Sequence, residues 1–208
     1  MADILYVMAT AQEYGPSLRG RIDPLITGVG LVETTLHLTE ALTRRHFAGS
    51  MPKFVVSLGS AGSARLPPCS LHQASAVSWR DMDATPLGFA RGVVPFLDLP
   101  PTLRLGPFIP GLSRATLSSG SDIVSGKAYD AIADDMVDME TYAVARVSRH
   151  FGLPLIGLRG ISDGDAELGG LADWTRYLAI IDEKLADAVE QLETAVAQGT
   201  LTGVDDRS

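Results

Sequence analysis

"LPLIGLRGISDG", Leu153 to Gly164, is the stretch on which the reading of this chain turns. Its first half is a short apolar run with the length of a buried strand. Its second half places Gly160, Ser162 and Gly164 in the G-x-S-x-G spacing of a serine hydrolase elbow. An elbow serine needs a strand before it, a helix straight after it, and an acid and then a histidine further along the chain. The strand is present. The four histidines, His37, His46, His72 and His150, all precede Ser162, and "DGDAELGGLAD" (163–173) reads as a loop. Ser162 therefore reads as a hydrogen-bonding neighbour, and attention moves to Asp163. An acid at the C-terminal end of a buried strand points into the crevice where α/β proteins bind ligands. Partly desolvated, it can hold a proton for general acid work. A loop-capping role for Asp163 explains its position equally well.

Working outward, further short runs rich in β-branched residues lie at 4–9, 24–30, 54–59, 74–79, 92–97, 115–120 and 136–139, and each predicts a strand. Apolar residues recurring every three or four positions predict helices over 31–46, 140–151 and 173–198. This alternation predicts an α/β sandwich. Several strands follow one another between 54 and 120 with no long helix among them, so a mixed sheet is expected. Gly199 suits the end of the last helix, and residues 200–208 read as a flexible tail after one domain spanning 1–199.

The bulk composition narrows the partners. A chain of 208 residues, 46% hydrophobic and 20% charged, suffices for one well-buried domain. Its formal net charge of -8 lacks the basic footprint that nucleic acid or an anionic membrane surface demands, and a small-molecule site fits better. Asp3 stands where a signal peptide carries positive charge, and the first apolar run is too short to span a bilayer, so a cytoplasmic protein is expected. The single cysteine, Cys69, excludes an intramolecular disulfide and reads as a small packed or edge residue beside Pro67 and Pro68. No metal-ligand spacing is present, so no metal and no other cofactor is expected.

Two more carboxylates stand at strand ends. Glu140 falls where "MVDM" gives way to a helix, where the helix dipole and free N–H groups favour its ionised form. Such a carboxylate suits sugar hydroxyls, although an acidic first-turn residue is a common stabiliser of a helix. Met139, between Asp138 and Glu140, reads as a core residue facing the opposite side. Glu13, in "ATAQEYG" shortly after the first strand, is open to the plainer reading of a solvated helix start. Asp165 and Glu167 have weaker claims, in a more solvated loop. "GVGLVE" (28–33) has Glu33 where a dinucleotide fingerprint needs its third glycine, and a tight strand-to-helix turn accounts for it. "LGSAGSAR" (58–65) reads as a glycine loop that lets backbone approach a ligand, with Arg65 able to serve an anion.

In order along the chain, "ATAQE", "GVG", "LGSAG", "DMDATPLGF", "SSGSD", "VDMET" and "RGISD" resemble the motifs of the nucleoside phosphorylase and nucleosidase family. The resemblance is strongest to its 5′-methylthioadenosine/S-adenosylhomocysteine nucleosidases, and it covers all but the tail. "DMET" and "RGISD" are its most specific part. It implies a three-layer α/β/α sandwich with a central mixed, partly barrel-like sheet, a nucleoside substrate, and a homodimer whose partner helps close the site. It further implies that Glu13 activates the attacking water and that Asp163 protonates N7 of the leaving adenine. Glu140 would bind the ribose hydroxyls with Met139 beside the sugar, and Ser162 would position Asp163, with Arg159 as its neighbour. Ser60, Ala61 and Gly62 would line the ribose and water, and Trp174 would pack by the ligand. Leu87 and Phe89, in "PLGF", would reach the 5′-substituent across the dimer. Three departures stand out. Ile123 and Val124 occupy the place of a base-stacking Phe, the stretch from Glu13 to Gly28 is shorter than usual, and "GSAGS" replaces "GSAGG".

Overall fold

A computed structural model describes residues 3–164, 166 and 169–203. Strand β8 (Leu155–Asp163) is its axis. Every residue from Leu155 to Ser162 is buried, as a run flanked by sheet on both edges requires. It pairs parallel with β3 (Phe54–Gly62) and antiparallel with β4 (Leu71–Trp79). Strand β4 pairs parallel with β6 (Arg114–Ser119), β6 parallel with β7 (Met136–Asp138), and β7 antiparallel with β3. These five strands close a ring. Strand β1 (Ile4–Met8) extends the sheet from β3, followed by the short β2 (Leu25–Ile26), and β5 (Thr102–Arg104) borders β4.

Helices cover two sides. On one, α2 (Leu31–Phe47) places Leu38 and Leu42, and α3 (Thr141–His150) places Val144 and Val147, in a core shared with Val7, Val55 and Leu117. On the other, α5 (Leu178–Gln198) packs Ile181, Leu185, Val189 and Leu192 with Leu18 of α1 (Pro16–Arg19) against Val56, Ile156 and Leu158. The two apolar clusters divide the faces of β1, β3 and β8 by alternation. Among the described residues no helix is long and apolar enough to cross a membrane.

Gly160 shows how closely these layers meet. A Cβ there would lie 2.5 Å from Cγ2 of Ile181, so the glycine of the apparent elbow is a packing feature between β8 and α5.

Four sequence expectations change. Residues 92–97 form no strand, because Gly92 and Phe96 adopt φ of 80° and 62° and Pro95 has no N–H for a ladder. The strand of that region is β5. The helix expected over 173–198 is two, α4 (Leu171–Thr175) and α5, with the break at Arg176 and Tyr177 turning Trp174 toward the end of β3. Residues 59–62, read as a loop, are the last turnless residues of β3. Past Gly199, which ends α5 at φ 64°, Thr202 exchanges two backbone hydrogen bonds with Phe108, so residues 200–203 are docked where a free tail was expected. Residues 204–208 of that tail lie outside the described residues.

Candidate active site

The C-terminal ends of β1, β3 and β8 and the junction of β7 with α3 converge on one rim. Glu13 sits in the turn after β1 and is only 8% exposed. Its Oε1 accepts hydrogen bonds from the backbone N–H of Ser60 at 2.7 Å and from the Ser60 hydroxyl at 2.5 Å. Gly59 makes this approach feasible, since a Cβ there would stand 3.2 Å from Oε2 of Glu13. The solvated helix-start reading of Glu13 is thereby excluded. Burial pushes its carboxyl up, against the opposing pull of the Ser60 hydrogen bonds and of Arg159.

Glu140 lines the same cavity. Glu13, Glu140, Arg159, Ser57, Ser60 and Thr27 surround a space of about 10 Å³, near the smallest that holds one water. Oε1 of Glu140 accepts from the N–H of Gly30 at 2.8 Å. Gly28 and Gly30 have φ of 86° and 95°, so the "GVG" turn is the tight strand-to-helix turn expected, with one N–H aimed at a site carboxylate. The expected ionisation of Glu140 by the helix end does not hold. Glu140 is the N-cap residue of α3, but its side chain makes no capping hydrogen bond, because the N–H of Thr141 goes to Asp138 and that of Tyr142 to Ser119. Burial, followed by the charge of Asp138, raises its carboxyl to about 7.

Asp138 is the residue the sequence reading passed over. It is 7% exposed and accepts from Arg159 Nη2 at 3.0 Å, from Arg159 Nε at 3.1 Å and from Ser119 Oγ at 2.5 Å, as well as from the Thr141 hydroxyl. Arg159 also donates to Ser57 Oγ, Ser57 O, Leu158 O and Thr141 Oγ1. Arg159, expected beside Asp163, thus reaches across to Asp138 instead. The signal was present. An Arg inside an apolar strand requires a buried, hydrogen-bonded carboxylate.

Asp163 ends β8 just past a bulge. Ala61 pairs with Ile161 and Gly62 with Asp163, leaving Ser162 as the extra residue. Strict alternation would send Ser162 and Asp163 to opposite faces, whereas the bulge lets the Ser162 hydroxyl donate to Oδ1 of Asp163 at 2.6 Å. Tyr129, which the sequence reading did not single out, places its hydroxyl 3.4 Å from Oδ2. Gly62 leaves room for this pair, because a Cβ there would be 2.2 Å from the Tyr129 oxygen and 2.7 Å from Oδ2. Burial raises the Asp163 carboxyl, opposed by the two hydroxyls.

Trp174 joins the site through a hydrogen bond of 3.0 Å from its indole Nε1 to Ser60 Oγ. Ala61 is buried in β3, and Met139 is half-buried between Asp138 and Glu140. Val124 is buried with Tyr129 and Val137 in a small cluster of its own, while Ile123 is 73% exposed. Leu87 is 75% exposed on a 3₁₀ turn, and Phe89 meets Phe96 edge to face at 5.6 Å between ring centroids. Arg65 does not stand ready for an anion, because its guanidinium donates to the carbonyls of Ile132, Ala133 and Asp134. Asp165 and Glu167 lie outside the described residues. Among the described residues no group of three or more His, Cys, Asp or Glu side chains could hold a metal ion.

Comparison with known proteins places the chain among similar sequences and folds. Residues 119–198 match the model of the phosphorylase superfamily. The chain is 29% identical over 166 residues to a 5′-methylthioadenosine/S-adenosylhomocysteine nucleosidase of Actinobacillus succinogenes, covering 70% of this chain and 69% of the relative. It is 29% identical over 206 residues to a nucleosidase of the same name from Geobacillus kaustophilus, covering 86% and 84%. Among solved structures, the Neisseria meningitidis nucleosidase in complex with methylthio-immucillin-A superimposes with a TM-score of 0.76 at 19% identity, over 94% of this chain and 100% of that one. A futalosine hydrolase mutant of Helicobacter pylori superimposes with a TM-score of 0.74 at 20% identity, over 95% and 100%. At these identities the structures speak for the fold.

Proposed function

We propose that the chain, whose residues 119–198 match the phosphorylase superfamily, hydrolyses the N-glycosidic bond of 5′-methylthioadenosine and S-adenosylhomocysteine, releasing adenine. The observation that carries this reading is the gathering of Glu13, Glu140 and Asp163 at one rim, each partly or fully buried and each with a defined hydrogen-bond donor.

Cleavage of the bond builds positive charge on the ribose and negative charge on the purine. Asp163, raised by burial, holds a proton for N7 of the leaving base, and Ser162 fixes its orientation. Glu13 takes the proton of the water that attacks the anomeric carbon, and the proton lost by water balances the one given to adenine. Glu140 receives the ribose hydroxyls, with Met139 beside the sugar. Ser60, Ala61 and Gly62 form the wall near ribose and water, Ile123 and Val124 border the base, and Trp174 packs by the ligand.

Water is favoured over phosphate as the nucleophile by the charges in the cavity. Two carboxylates face it, and the guanidinium groups of Arg159 and Arg80 are engaged by Asp138 and by backbone carbonyls. A phosphate would meet Glu13 without a bidentate partner. The domain acts as a homodimer in this reading, with Leu87 and Phe89 of one copy closing the 5′-pocket of the other. Exposed Val32, Leu36, Leu87 and Phe96, 77%, 59%, 75% and 94% accessible, supply apolar surface for such an interface.

The test is a free-base release assay that resolves adenine from hypoxanthine, run on 5′-methylthioadenosine, S-adenosylhomocysteine, adenosine, inosine and futalosine, each with and without phosphate. The expected result is release of adenine from the two thionucleosides at a rate indifferent to phosphate. Ribose 1-phosphate as product, or turnover confined to futalosine, would replace this reading with phosphorolysis or with futalosine hydrolysis.

A further inference from the structure

We infer that Trp174 is a positioning residue for Glu13, its indole N–H fixing the Ser60 hydroxyl so that the single hydroxyl proton is committed to the Glu13 carboxylate. The role rests on the proposal that Glu13 is the base. The indole nitrogen only donates, and a serine hydroxyl has one proton and two lone pairs. With Trp174 Nε1 at 3.0 Å from Ser60 Oγ, one lone pair is occupied, and the proton is directed to Oε1 of Glu13 at 2.5 Å. Without the indole the hydroxyl can rotate away, and Oε1 retains only the backbone N–H of Ser60 at 2.7 Å. A phenylalanine would fill the same space with no such effect.

The other groups around Glu13 are independent of α4. Arg159 on β8 favours its charge, Asp138 at the end of β7 opposes it, and Glu140 before α3 lines the same cavity. The one titratable side chain described on α4 itself, Asp173, accepts from the N–H of Gly169. Trp174 therefore makes the state of the base depend on whether α4 is seated over the site.

The experiment follows the Glu13 carboxyl by ¹³C NMR titration in the free protein, assigned with Glu13→Gln, alongside the pH profile of kcat/KM. With the Ser60 hydroxyl no longer held toward the carboxylate, Trp174→Phe is expected to raise the Glu13 midpoint by up to about one pH unit. The acid limb of kcat/KM should move with it. Ser60→Ala should raise the midpoint further, and adding Trp174→Phe to Ser60→Ala should change nothing more. An unmoved midpoint in Trp174→Phe, equal steps in the two backgrounds, or a change in KM alone would overturn the inference. The titration needs no substrate, so a wild-type protein that fails to release adenine would defeat the proposed reaction without deciding the role of Trp174.

Discussion

At the scale of single residues, the site is a set of carboxylates held in different protonation environments. Glu140 gives the sharpest consequence. Its carboxyl rises from 4.5 to about 7 on folding. Between these values the folded chain holds more proton than the unfolded one, so this group lowers stability as pH rises through that window. Above about 7 the folded protein carries the full cost of the buried charge. Glu140→Gln keeps an acceptor for the N–H of Gly30 and never ionises. It is expected to melt higher than wild type at pH 8, with the advantage shrinking toward pH 5, as thermal unfolding at both values would record. An advantage independent of pH would contradict this assignment. The strand end and the chain order of the histidines drew attention from Ser162 to Asp163, but a loop-capping role explained Asp163 equally well, and its pairing with Ser162 followed from the family resemblance. Asp138 and Tyr129 were not singled out, since their importance lies in partners 21 and 34 residues away in the chain. Yet Arg159 amid apolar neighbours was a visible request for a buried acid.

At the scale of elements, the apolar periodicities located most strands and helices because burial on one or both faces leaves a pattern in the chain. The failures have local causes. Positive φ at Gly92 and Phe96 breaks an otherwise apolar run, and the break at Arg176 and Tyr177 interrupts a helical repeat that continues across it. Neither is visible in hydrophobicity alone. Contact between β8 and α5 is set by a missing side chain, and Gly160→Ala tests it. The new methyl would sit 2.5 Å from Ile181 Cγ2 and 2.8 Å from Cγ1. Overpacking of this kind costs about 1–3 kcal/mol. A denaturant midpoint lowered accordingly, with an unchanged slope, is the expected outcome, and a wild-type midpoint would show that the layers are less tightly opposed.

At the scale of the whole molecule, closure of β3, β8, β4, β6 and β7 into a ring brings Glu140 and Asp163 to one rim, and β1, paired with β3 outside the ring, adds Glu13 from a third distant part of the chain. Ring closure was only partly legible. A mixed sheet follows from the succession of strands, but the pairing of β7 with β3 rests on the single register Gly62 with Val137, which no periodicity announces. The division of labour across that rim is the central claim. It is tested most directly by measuring adenine release from 5′-methylthioadenosine by Glu13→Gln and Asp163→Asn, with ligand affinity determined in parallel. General acid and general base groups each contribute about 10²–10⁴-fold. Each variant is expected to bind the nucleoside and lose turnover by at least about 10²-fold. Turnover near the wild-type rate in either variant would contradict the account.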